Sequence, residues 1–248
     1  MENNRQRKII FFTGAKHGIP VALGYFAVSF AFGVLAAEGG LSPAEAALMS
    51  LLNVTSAGQF AGLTVILAAG PYAEIALTQL VINLRYALMS LTLSQRVPER
   101  TSVLTRLCMA YAVTDEIFAL DAAYPGNVAP LYHFGAMSVA VPGWVAGTLA
   151  GALAGAVLPE RILQALSVAL YGMFLAIIIP PARESGVLRG VIAAAMGLSA
   201  LFSFAPLLRE ISAGFRIVLI TVGLSLLFAL LFPVPERQGD AGEAGGAG

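Results

Sequence analysis

Three ionisable residues stand where water is scarce. Arg85 sits in Asn83-Leu84-Arg85-Tyr86, in the middle of an apolar run over residues 73–93. Thr114-Asp115-Glu116 lies at similar depth in the next apolar run. An arginine at the centre of a bilayer-length run costs about 2.5–3.5 kcal/mol on insertion scales, so it needs a counter-charge. The acidic pair supplies one. Asp115 and Glu116 are adjacent, so on a helix they point about 100° apart. Only one can face Arg85 squarely, and the sequence leaves open which. The other is free for an ammonium group, a proton or a cation, which makes Asp115 and Glu116 the candidate coupling residues.

A second cluster lies upstream. Residues 53–60 read Asn53-Val54-Thr55-Ser56-Ala57-Gly58-Gln59-Phe60, four polar side chains and a glycine inside another apolar run. The run at 44–69 is either one span with a polar face or a re-entrant hairpin of two half-helices meeting at Ser56-Ala57-Gly58. A half-helix starting near Gly58 would present unpaired N–H groups and a positive dipole end, which suits a carboxylate. Ser56 and Gln59 could add hydrogen bonds, and Phe60, Phe32 and Phe118 could form an apolar wall.

The remaining polar residues divide by position. Gln79, Asn83, Tyr86 and Ser90 share one helical face. Asn83 belongs with Arg85; Gln79, Ser90 and Thr92 are expected to glue helices together. Asp121 is near its helix end and is expected to be solvated. Cys108, His17 and His133 have no metal-ligand spacing, so no metal site is expected. No nucleotide loop and no nucleophile–base pair appears, so neither an enzyme nor a cofactor is expected, and energy would come from a gradient.

The elements that must position these groups are membrane helices. Of the 248 residues, 58% are apolar and 11% charged, against roughly 25% charged in a soluble domain. Mean hydropathy is +0.83. The chain reads as an all-α integral membrane protein with six to eight transmembrane helices, one or two of them re-entrant and broken. Residues 1–16 form a basic tail, 17–232 one transmembrane domain and 233–248 a disordered tail. Arg5, Arg7, Lys8 and Lys16 mark topology, not a nucleic-acid site. The first span begins near His17, with Pro20 in its opening turn. Ser42-Pro43 with Glu45 starts the next helix. A single span is expected over 107–124, and a kink at Pro142 in the long run at 131–158. Gly143, Gly147, Gly151 and Gly155 invite a close helix neighbour, and Trp144 is expected to pack.

Loop charges favour at least one hairpin. If every run crosses, Lys and Arg divide evenly between the two sides. If 44–69 is re-entrant, they collect strongly on the N-terminal side, as cytoplasmic loops do. Making 162–179 re-entrant too changes little. A faint echo relates Gly33-Val34-Leu35-Ala36-Ala37 to Gly151-Ala152-Leu153-Ala154-Gly155, each followed by an interrupted helix. That allows an inverted-repeat plan, as in many transporters.

Four motifs carry a family resemblance: Ser29-Phe30-Ala31-Phe32-Gly33-Val34, Ser56-Ala57-Gly58-Gln59-Phe60, Asn83-Leu84-Arg85 and Thr114-Asp115-Glu116-Ile117-Phe118-Ala119. In this order and spacing they resemble the AzlC family, the large subunit of branched-chain amino acid exporters. The resemblance covers roughly residues 18–179. It implies a bacterial inner-membrane exporter of valine, leucine, isoleucine or methionine, working with a small AzlD-type membrane subunit. Tyr86 departs from the pattern, since histidine also occurs there in the family. A channel or proton-conducting protein using the same charges is the alternative.

Overall fold

The computed structural model describes residues 2–157, 159, 161, 175, 178–180, 182–205, 208 and 210–233. Among the described residues there is helix and turn but no strand. Five helices among the described residues are long and apolar enough to cross a membrane. Between them lie two pairs of short helices, and these shape the centre of the molecule.

The first helix, α1 (Glu2–Glu38), is longer than expected. The basic segment is its opening turns and not a separate tail. Pro20 lies inside it, where it removes one backbone hydrogen bond without ending the helix. Helix α7 (Pro130–Val157) likewise continues through Pro142. The two pack along most of their lengths. Gly143 lies against Ala22, Gly147 against Phe26, Gly151 against Phe30 and Gly155 against Val34. Partner numbers rise together in steps of four, so the helices are parallel. A Cβ on Gly143 would stand 2.7 Å from the Ala22 carbonyl oxygen. The glycine ladder is therefore the seam of this pair. Gly33 and Gly155 fall within that seam, so the two echo stretches lie side by side in the same direction, which is not an inverted relation.

Gly151→Leu should break the seam, because its obstacle is the backbone of Phe30 and overpacking alone costs about 1–3 kcal/mol. We expect loss of the monodisperse peak in size-exclusion chromatography. Gly223→Leu, which meets nothing within 4 Å, should keep it. Equal behaviour of the two variants would refute a tight seam.

The segment after α1 is broken. Ser42 caps α2 (Pro43–Leu52) in a capping box with Glu45. The helix stops at Asn53, and α3 (Ser56–Leu67) begins after an extended Thr55. The break falls at 53–55, just ahead of the expected Ser56–Gly58. Val54 and Thr55 are β-branched and poor helix formers, and the Asn53 and Thr55 side chains donate to Gln79 and Asn83. The legs have 10 and 12 residues, about 15 and 18 Å, too short for a hydrocarbon core of roughly 30 Å. They fold back on each other: Gln59 reaches Ser50, and Gly39, just before α2, packs against Leu67 at the end of α3. The chain thus enters and leaves this V at the same end, as a re-entrant hairpin does.

Helix α4 (Tyr72–Arg96) then crosses back as one unbroken helix of 25 residues. A second V follows it. The expected single span at 107–124 is instead α5 (Val103–Ala110), a break at 111–114, and α6 (Asp115–Ala123). Val113-Thr114 interrupts it as Val54-Thr55 interrupts the first. Arg96, at the end of α4, donates to the carbonyls of Asp121, Ala122, Tyr124 and Gly126. Arg106 of α5 donates to those of Ser94, Val97 and Pro98. The open end of this V therefore sits at the C-terminal end of α4, opposite the first. The two hairpins are inverted and meet tip to tip.

Helices α8 (Gly186–Phe204) and α9 (Ala213–Leu231) are antiparallel, with Gly190 against Phe228. The start of α9 docks on α4: Ser212 Oγ and Gly214 N donate to the buried Glu74 carboxylate at 2.6 and 2.7 Å. Most of the run at 162–179, read as a span or a second hairpin, and all but the first residue of the tail expected at 233–248 lie outside the described residues. Arg5, Arg7, Lys8, Lys16, Arg96, Arg100 and Arg106 all belong to the end that carries the N-terminus, which the positive-inside rule makes cytoplasmic.

Candidate functional site

The hairpin tips meet beside the middles of α1, α4 and α7. Tyr25, Val28, Val54, Ser56, Tyr86 and Trp144 surround a small cavity with the first residues of α6. Its ionic core is the pair expected from the sequence. Arg85 Nη1 lies 2.7 Å from Asp115 Oδ2, which settles the choice between the two acids. Arg85 also stacks on its neighbour Tyr86, 4.8 Å from the ring centre, and donates to its hydroxyl. The pair is open on one side, with side chains 43% and 38% exposed.

Glu116 is left over, as the 100° offset requires. It is not idle. The Tyr25 hydroxyl donates to Glu116 Oε2 at 2.7 Å and also touches Thr114 Oγ1. Thr114 in turn caps α6 by accepting from Ile117 N. Tyr25 is nearly buried and sits edge-on to Trp144 at 5.3 Å. One acid is therefore held by a cation and the other by a neutral hydroxyl.

The two tips are electrostatically unequal. Both α3 and α6 begin here, so each aims a positive helix end at the cavity. Helix α6 carries Asp115 and Glu116 in its first turn and has a side-chain cap. Helix α3 has no acid in its first turn and no side-chain cap. Thr55, its N-cap, instead donates to Asn83 Oδ1 at 2.8 Å. The α3 terminus with Ser56 is a bare anion-attracting end, facing an end loaded with carboxylates.

Other expected residues are placed elsewhere. Asn83 and Gln79 form the bond between α3 and α4: Gln79 donates to the Gly58 carbonyl at 2.7 Å and accepts from Asn53 and Asn83. Gly58 is small because Gln79 Oε1 would lie 2.8 Å from its Cβ. Gln59 is fully buried and turned away from the cavity. It donates to Ser50, accepts from Trp144 Nε1 at 3.0 Å, and Ser50 meets Thr148. Phe60 packs edge-on against Phe32 in the core between α1, α3 and α7. Phe118 belongs to a different cluster with Leu93 and Met109. The three phenylalanines thus do not converge on one pocket, and the cavity's apolar wall is Val28, Val54 and Trp144.

Asp121 differs most from expectation. It is fully buried, with Oδ2 2.6 Å from His133 Nδ1. The break at 111–114 turns α6 toward α7, so a residue near a helix end faces inward. Tyr25 and Trp144 were also not legible as site residues, although Tyr25 shares the α1 face of Ser29 and Phe32.

The fold and site define a helical membrane protein in which two inverted, broken hairpins converge on an intramembrane ionic centre. The chain belongs to the AzlC family: the model described as "AzlC protein" matches residues 20–158, more than half of the chain. It is 30% identical to an uncharacterized membrane protein of Archaeoglobus fulgidus over 78% of this chain and 85% of that one. It is 35% identical to the inner membrane protein YgaZ of Escherichia coli over 46% of each chain, so that match spans about half the length of either protein. An uncharacterized membrane protein of Helicobacter pylori is 33% identical over 42% of this chain and 45% of its own. No solved structure matches the chain.

Proposed function

We propose that this protein is the large permease subunit of a gradient-driven exporter of apolar amino acids such as valine, leucine, isoleucine and methionine, in a bacterial cytoplasmic membrane. One observation carries the reading: two helix ends face each other across the cavity, one bare and one bearing acids. An amino-acid zwitterion needs that polarity. Its carboxylate suits the α3 terminus and Ser56, and its ammonium suits Glu116. Asp115 is already neutralised by Arg85, so a single net acid remains for a single ammonium. Val28, Val54 and Trp144 supply the apolar side.

The cavity between the tips is about 50 Å³, well below the roughly 300–1,000 Å³ of ordinary small-molecule sites. Substrate entry therefore requires the hairpin tips to part, which suits a carrier better than an open pore. The open flank of the Arg85–Asp115 pair supports a partner. Beside it, Leu80, Leu84, Leu88 and Leu91 leave one face of α4 uncovered. A small AzlD-type membrane subunit on this face would shield the ion pair from hydrocarbon, where charges are costly.

Counterflow tests the proposal. Proteoliposomes holding the protein with its small subunit should take up labelled valine saturably, faster when unlabelled valine is inside. Linear flux with no acceleration from the opposite side would favour the channel reading.

A further inference from the structure

The reading above leaves one buried ionisable pair without a role. Asp121 and His133 have side chains that are 0% exposed. Their hydrogen bonds fix how many protons they can hold. His133 Nε2 lies 3.0 Å from the Met109 carbonyl oxygen. That oxygen can only accept, so Nε2 carries a proton. His133 Nδ1 lies 2.6 Å from Asp121 Oδ2. A contact that short between two atoms with lone pairs requires one more proton between them. It rests on the carboxylate or on the imidazole, and the pair is neutral as a whole either way.

Among the described residues, nothing nearby replaces that proton. Asp121 Oδ1 is buried without a hydrogen-bond partner. The Arg96 guanidinium is spent on four backbone carbonyls, including that of Asp121. Arg106 on α5 is spent on others, and Cys108 on α5 is exposed. On the α7 side, the Tyr132 hydroxyl pairs with His17 Nδ1 of α1 at 2.8 Å, and the Tyr132 ring lies on Tyr124 at 4.5 Å. Loss of one proton would leave a single N–H for two contacts, so that one ring nitrogen's lone pair faces either the Asp121 carboxylate or the Met109 carbonyl, both on the second hairpin, in a site closed to water. Buried unpaired acceptors are costly, so the contact should part.

The contact joins the second hairpin to the α1–α7 pair. Met109 is on α5 and Asp121 on α6, the two legs of the second hairpin. His133 is one turn into α7, the helix seamed to α1. Asp121 lies six residues beyond Asp115, about 9 Å along α6, between the ionic centre and the cytoplasmic end. We infer that Asp121 and His133 form a proton-binding site that latches the α5–α6 hairpin to α7 when loaded and releases it when empty. Release leaves Asp121 as a carboxylate and His133 as a neutral imidazole, with the proton passed to water once the hairpin has moved. In the export cycle, an inference that rests on the reading above, this is the coupling site, and Asp115 and Glu116 handle substrate.

The latch can be tested without transport. Full-length protein in lipid nanodiscs, with its small subunit, is followed by amide hydrogen exchange of the α6 peptide across pH 5–9. Asp121→Asn keeps a donor toward His133 Nδ1 and cannot titrate, so it should stay latched. Dividing the wild-type rate by the Asp121→Asn rate at each pH removes the intrinsic pH dependence of exchange. The ratio should rise by up to about tenfold per pH unit above the release point, as one-proton linkage requires. A flat ratio with a folded variant would overturn the latch. If Asp121→Asn does not fold, His133→Gln takes its place as the reference, and a flat ratio is equally fatal. In proteoliposomes Asp121→Asn, held latched, should lose the acceleration of valine uptake by a pH gradient. If the wild type moves no valine, the export reading fails while the exchange result still decides the latch.

Discussion

Glu116→Gln is expected to lower valine export by about a hundredfold while leaving the amount of protein in the membrane unchanged. The substitution keeps the shape of the side chain and an oxygen for the Tyr25 hydroxyl, which lies 2.7 Å away in the wild type. Only the charge is lost. A hydrogen bond to a charged partner is worth about 1.5–3 kcal/mol, and an ammonium left unpaired in the cavity adds to the loss. Roughly 3 kcal/mol corresponds to two powers of ten. Export from valine-loaded cells, normalised to immunoblotted protein, measures it. Wild-type export by Glu116→Gln would remove Glu116 from the substrate site. Tyr25→Phe should cost less, because it removes a neutral donor and leaves the carboxylate.

Arg85→Ala should act on the fold as well as on export. It strands the Asp115 carboxylate at membrane depth. Losing one partner of a fully buried pair costs about 3–5 kcal/mol and an exposed pair is worth about 0–1 kcal/mol; this pair is partly open, at 43% and 38% exposed, so the expected cost lies between, at about 1–3 kcal/mol. The double variant Arg85→Ala/Asp115→Ala leaves no orphan and should recover most of the lost melting temperature. It should not recover export, since the positioning of the α6 terminus is gone. Additive effects of the two single changes on melting temperature would mean that the ion pair contributes nothing to stability.

The parts of this site that were legible in the sequence are those where cost alone is informative. Arg85 in an apolar run demands an acid, and Thr114-Asp115-Glu116 was the available one. The capping box at Ser42 and the glycine ladder were legible for the same reason: each has one local physical purpose. The second hairpin was hidden. Its legs have 8 and 9 residues, and together they have the length and hydropathy of one ordinary span. Loop charges could not expose it. With 162–179 counted as a span, Arg161, Arg209 and Arg216 fall on one side and Arg183, Arg189 and Arg237 on the other, and exchanging the sides leaves the balance unchanged. The useful signal was Val-Thr followed by a helix start, present at Val54-Thr55-Ser56 and again at Val113-Thr114-Asp115. The inward turn of Gln59 and the pairing of Asp121 with His133 depend on α7 being in place, and no local pattern encodes them.

The same dependence on α7 bears on how the chain is made. The polar floor of the first hairpin is completed by Trp144 and Thr148, 85 and 98 residues downstream of Gln59 and Ser50. At roughly 5–20 residues per second, the ribosome needs about 4–20 s to supply them. During that interval Ser50 and Gln59 have left the ribosome without their final partners. The insertion machinery must shelter a half-built hairpin until its far neighbour arrives. Truncation before residue 144 should therefore leave a chain that is targeted to the membrane and then removed by quality control.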